Sequence, residues 1–183
     1  MSQVLQEGNL EFTYPDAWRL CRPESCSYHA RHFSNFCGGC KEVDFLALDP
    51  GATLWLIEVK DYSWFRRINA MPIWEEVAVK ARDVLSMLVG AAANDPVSTA
   101  SLSRPGMQAG EFWTHAKKLR KLRVVLHLEI PKSPSKLHPG VKHHANLQTK
   151  LRQAVRVLDP HARVVDISGL PLTIESWTVK RVS

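Results

Sequence analysis

Three residues in the first third of the chain stand where ionisable groups are costly: Asp44, Glu58 and Lys60. They sit within apolar runs, VDFLAL and LWLIEVK. A charge in such a run is expensive unless it is paired or bound to a metal. Two carboxylates held together repel, which favours a divalent cation between them, and hard oxygen ligands suit Mg²⁺ or Mn²⁺. An adjacent ammonium can orient a water or stabilise charge building on a phosphate. Hydrolysis of a phosphodiester requires these same parts. The competing reading is a salt bridge between Glu58 and Lys60 on a solvated face. The apolar residues on both sides of these charges weigh against it, because a solvated face alternates more cleanly.

The elements that must position this trio follow from the flanking sequence. Side chains alternate across a strand, so Glu58 and Lys60 share one face while Ile57 and Val59 share the other. Glu42–Leu48 reads as one strand and Thr53–Tyr62 as a second, rich in branched and aromatic residues. Asp49-Pro50-Gly51 between them is turn chemistry, so the two pair as an antiparallel hairpin that lays Asp44 beside Glu58 and Lys60. Pro72 then opens a helix over Ile73–Ala93, whose Val77, Ala81, Val84, Leu85 and Leu88 form one apolar stripe.

An Asp, thirteen intervening residues and Glu-x-Lys on a hairpin followed by a helix resembles the PD-(D/E)xK nuclease superfamily. The match runs over about Cys40–Ala93, with Asp44 as first acid, Glu58 as second and Lys60 as the lysine. The resemblance implies a restriction endonuclease-like fold, a mixed central β-sheet flanked by helices. It implies Mg²⁺ (or Mn²⁺) held by Asp44, Glu58 and the main-chain carbonyl of Val59. Many members add an acid from an N-terminal helix; Glu7, Glu11, Asp16 and Glu24 are unranked candidates. The following helix sometimes supplies a further residue, and Lys80 or Asp83 could fill that role. Val43 stands where a proline is common in the superfamily.

The remaining chain supplies the partner. Arg104–Arg156 holds twelve Lys and Arg against Glu111 and Glu129 alone. The whole chain is only +6, so the rest is net acidic. An acidic part that could hold cations and a basic part that could hold a polyanion suit an enzyme acting on nucleic acid, here expected to be DNA. Solvation of the surface by Lys and Arg is the competing reading. Candidate backbone contacts are Lys117, Lys118, Arg120, Lys121 and Lys142, together with Arg66 and Arg67 beside the aromatic pair Trp64-Phe65. His138, His143 and His144 read as a polar loop at a helix start. Small nucleases of this kind often dimerise, so a homodimer is a further expectation. The alternative function is an inactive nuclease-fold module that binds nucleic acid or protein.

Cys21, Cys26, Cys37 and Cys40, spaced C-x4-C and C-x2-C, allow a zinc site, with free thiols as the competing reading. Other expected elements are a strand and turn over Leu10–Leu20, a short strand over Tyr28–Phe36, helices over Gln108–Lys121 and His143–Leu158, and strands over Leu122–Ile130, Arg163–Ile167 and Ile174–Val182. That order places the chain in the α/β class. The expected organisation is a single domain of residues 1–183: N-terminal strands and turns (1–41), the catalytic hairpin and helix (42–93) and a basic C-terminal half (104–183). No run reaches the ~18 apolar residues of a membrane span. The N-terminus lacks a basic start followed by an apolar block, so a cytoplasmic location is expected.

Overall fold

Segments rich in branched and large apolar residues build a five-stranded sheet. In the computed structural model, residues 2–26, 28–64, 67–94, 119–130, 141–169 and 177–182 are described. Strands β3 (Arg19–Cys21), β4 (Phe45–Leu48), β5 (Thr53–Asp61), β6 (Lys121–Glu129) and β7 (Arg163–Val165) lie side by side in that order. The β3–β4 and β4–β5 pairs are antiparallel, while β5–β6 and β6–β7 are parallel. Parallel neighbours need long crossovers. Helix α1 (Ile73–Asn94) lies in the first crossover and α2 (Val141–Ala154) in the second.

Both faces of the sheet are covered, so its central strands read as near-continuous apolar runs. On one face Leu54, Leu56, Val124, Leu126 and Leu128 pack against Val77, Ala81, Val84, Met87 and Leu88 of α1 and Leu147 and Leu151 of α2. On the other face Phe45, Ala47, Ile57, Val59 and Val125 meet a small antiparallel sheet. That sheet has the order β1 (Gln3–Glu7), β2 (Leu10–Tyr14), β8 (Thr178–Arg181). Phe12 of β2 stands edge-on to Phe45 at 5.1 Å and to His127 at 5.2 Å.

The mixed α/β architecture agrees with the sequence reading, and several features differ in detail. Among the described residues, helices cover one face of the main sheet and the small sheet covers the other, rather than helices on both. Tyr28–Phe36 is not a strand: His29–Phe33 is a short π-helical turn, which buries Tyr28, His29 and Phe33 at helical spacing. The strand expected over Glu42–Leu48 pairs only over Phe45–Leu48. Beyond Phe45, the Asp44 carboxylate takes the Val59 N–H, where a main-chain acceptor would continue the ladder. Lys121 opens β6 rather than ending a helix, and the Arg120 N–H bonds the Ala52 carbonyl; residues 108–118 lie outside the described residues. The helix expected to reach Leu158 ends at Ala154 and passes into a turn in which Leu158 and Asp159 both donate to the Val155 carbonyl. The C-terminal strand is present as Thr178–Arg181, at the edge of the small sheet. Among the described residues, no helix is long and apolar enough to cross a membrane.

Candidate active site

Asp44, Glu58 and Lys60 converge where β4 gives out and β5 continues. The Phe45–Ile57 pairing sets Asp44 opposite Glu58 one step further along the hairpin. Asp44 Oδ2 accepts the Val59 N–H at 2.6 Å. Glu58 and Lys60 leave β5 on the face that carries α1, as alternation requires. Lys60 Nζ lies 2.7 Å from Glu58 Oε1.

Helix α1 completes the cluster. Lys80 Nζ donates to the same Glu58 oxygen at 2.6 Å. Glu76, one helical turn earlier, lies 2.9 Å from Lys60 Nζ and accepts from Arg67 and the Asn69 amide at 3.0 Å each. Glu76 and Lys80 stand at i and i+4, so they share one face of the helix. Asp44, Glu58 and Glu76 are thus matched by Lys60, Lys80 and Arg67.

The electrostatics are uneven across this cluster. Burial and the Glu58 charge push the Asp44 carboxyl up to about 7, and Glu7 adds to the effect; the Val59 N–H and Lys80 oppose it. Burial disfavours the Lys60 charge, but Glu58 and Glu76 outweigh it and hold the ammonium well above its usual range. Burial likewise opposes the Glu76 charge, yet Lys60 and Arg67 keep its carboxyl below the usual range. Glu58 is 0% exposed, and its second oxygen, Oε2, is buried with no hydrogen-bond partner. A buried, unsatisfied carboxylate oxygen is costly.

These residues fit a divalent cation. The orphaned Glu58 Oε2 on β5 and the buried Asp44 carboxylate just before β4 are hard oxygen donors, and a cation would offset the burial of both. Asp44 and Glu58 would hold it. The Val59 carbonyl leaves β5 on the same edge as its N–H, the edge that faces Asp44, because both groups of a strand residue point to one neighbour.

No protein-family profile matches the chain, and no solved structure matches it. Among curated proteins, it is similar to a cysteine–tRNA ligase of Neisseria meningitidis serogroup A / serotype 4A. The two are 32% identical over 170 residues, which cover 79% of this chain and 24% of the ligase. The chain therefore spans about a quarter of the length of the curated relative it matches.

The other expected site residues fall in different places. Of the pair on α1, Lys80 enters the cluster and Asp83 does not. Asp83 is buried, accepts the Lys41 N–H at 3.1 Å and pairs with Arg82, so it anchors the segment that leads into Asp44. Among the N-terminal acids, Glu7 is the one whose charge Asp44 feels; it comes from a strand of the small sheet and pairs with Arg22 at 3.1 Å. Glu11 pairs with Lys180 instead. Arg67 is turned inward, onto Glu76 and the carbonyls of Asn69 and Met71, and so braces the loop after β5. Trp64 on that loop is 74% exposed. Arg120 and Lys121 are exposed at the opposite end of β6 from this cluster. Arg66, Lys117, Lys118 and the Lys142 side chain lie outside the described residues.

Of the four cysteines, Cys21 and Cys26 are buried with their sulfurs 3.1 Å apart. Cys40 Sγ approaches the Phe36 carbonyl at 3.5 Å. The Cys37 side chain lies outside the described residues. Among the described residues, no group of three or more His, Cys, Asp or Glu is gathered to hold a metal. Sequence reasoning missed Glu76; its i, i+4 spacing from Lys80, beside the apolar stripe, was the available signal.

Proposed function

We propose that this chain is a metal-dependent nuclease of the PD-(D/E)xK type, hydrolysing phosphodiester bonds of nucleic acid. The observation that carries the proposal is the buried Glu58, whose Oε1 is clamped by Lys60 and Lys80 while Oε2 stays unsatisfied and its charge is felt by Asp44. When bound, a divalent cation polarises the phosphate and activates a water. Asp44 and Glu58 would hold that cation. Lys80 fixes the rotamer of Glu58 from α1. Lys60, kept protonated by Glu58 and Glu76, places a positive charge where a water or a phosphate oxygen must sit. Trp64, on the loop that leaves β5, offers an exposed aromatic face for a base.

Similarity to part of a tRNA ligase favours a second reading, in which the chain is a module that holds tRNA without cutting it. One panel separates the two: purified protein with Mn²⁺ or with EDTA, against linear, circular and single-stranded DNA and a tRNA transcript. Metal-dependent cleavage of any of these, lost in Asp44→Ala, supports the nuclease. Binding of tRNA with no cleavage of any substrate supports the module.

A further inference from the structure

A second charged feature lies at the far end of the same strands. Glu58 sits five residues along β5 from Thr53, about 17 Å at strand rise. At the Thr53 end, a cleft of about 530 Å³ opens between the hairpin turn, the starts of β5 and β6, β7 and α2. That volume falls within the range of small-ligand pockets.

The cleft gathers positive charge from three elements. Lys121 and Arg123 come from β6, Arg163 from β7 and Arg152 from α2. The β5–β6 and β6–β7 registers put Trp55, Arg123 and Arg163 on one face of the sheet. Arg123 is neutralised by the fully buried Asp159 at 2.9 Å. Among the described residues, Lys121, Arg152 and Arg163 have no carboxylate partner. The acid in the cleft wall, Asp49, is already engaged: its two oxygens accept the Thr53 N–H at 2.9 Å and the Trp55 indole N–H at 3.0 Å. Trp55 is half-buried and stacks on the buried Trp18, with ring centroids 6.1 Å apart, which gives the cleft a rigid aromatic wall.

These three exposed cations line one concavity, Arg152 Nε also donating to the Ala162 carbonyl at 3.2 Å, and an anion seated there would neutralise their charge. Arginine forks match phosphate oxygens two at a time. An aromatic wall beside such cations suits a base or ribose. We propose that this cleft is a binding site for the phosphate of a nucleotide-sized ligand, separate from the carboxylate cluster. A free nucleotide and the phosphorylated end of a strand share this chemistry.

Calorimetric titration in metal-free, low-salt buffer tests the site, with pyrophosphate, 5′-AMP and a 5′-phosphorylated tetranucleotide as probes. Omitting the metal separates this site from the proposed nuclease centre. At least one probe should bind, and Arg163→Ala and Lys121→Ala should each weaken it by at least fivefold. Asp44→Ala, and Lys180→Ala on the small sheet, should leave it unchanged. Equal affinity for 5′-AMP and the tetranucleotide supports the site with a free nucleotide as ligand. At least tenfold tighter binding of the tetranucleotide supports it with a strand end. Failure of every probe to bind overturns the proposal, as does equal weakening by Lys180→Ala and Arg163→Ala, which would mark the attraction as general surface charge.

Discussion

Lys80, on the second turn of α1, and Lys60, on β5, both contact a single oxygen of Glu58, at 2.6 and 2.7 Å. Two cations on one oxygen leave the other oxygen of a fully buried carboxylate bare. Lys80 is therefore a positioning residue for Glu58, and it also lowers the Asp44 carboxyl. Lys80→Met is expected to reduce the cleavage rate by about 10- to 100-fold, in line with the loss of an outer-shell partner. It should also move the acid limb of the rate–pH profile to higher pH, with Lys80→Arg restoring most of both. A residue that served only the fold would lower the rate without moving that limb.

The raised Asp44 carboxyl makes stability depend on pH. Its unfolded value is near 3.8 and its folded value about 7 without metal, so across this window the folded chain binds more protons than the unfolded one. The stabilisation tied to protonated Asp44 is fully present below about pH 4. It is lost as pH rises through 7. Asp44→Asn keeps an acceptor for the Val59 N–H and removes the titration. Denaturant unfolding in EDTA should therefore show wild type losing on the order of a few kcal/mol relative to Asp44→Asn between pH 4 and 7.5. Parallel curves would show that burial and Glu58 do not raise the Asp44 carboxyl.

Trp64 projects from the loop that leaves β5 and is mostly exposed, so its side chain adds little to folding. Trp64→Ala should change stability by less than about 0.5 kcal/mol. It should weaken substrate binding by about 5-fold or more, the scale of one lost base–aromatic stack. Steady-state kinetics with a single-stranded substrate check this through KM.

The hairpin turn carries local strain away from the site. Ala52 has φ of 61°, a left-handed conformation that costs a non-glycine residue about 1–2 kcal/mol. Ala52→Gly removes the Cβ clash but adds unfolded-state entropy. A net gain of about 0.5–1 kcal/mol in urea unfolding is expected, with unchanged activity.

Much of this organisation was legible in the sequence. The two apolar strands, the Asp-Pro-Gly turn between them and the amphipathic α1 are encoded by local pattern. They bring Asp44, Glu58, Lys60 and Lys80 together. The turn residues did not reveal that the left-handed position falls on Ala52 rather than Gly51, because that depends on Asp49 closing the turn onto Thr53. Glu76 was not singled out as a member of the site, and Glu7 stood among four unranked acids. Their roles arise from tertiary placement, Glu76 across from Lys60 and Glu7 from a separate sheet. The π-helical turn at His29–Phe33 was misread because interleaved aromatic and polar residues look like a strand over so short a span. Arg67 looked like a phosphate contact until Glu76 gave it an internal partner.

The central claim is that Asp44 and Glu58 together hold a divalent cation, and calorimetric titration of Mn²⁺ at pH 8 tests it most directly. The account predicts saturable binding to the wild-type chain, weakened at least tenfold in both Asp44→Asn and Glu58→Gln while each variant still unfolds cooperatively. Absence of binding to the wild type, or equal affinity in the folded variants, would contradict it.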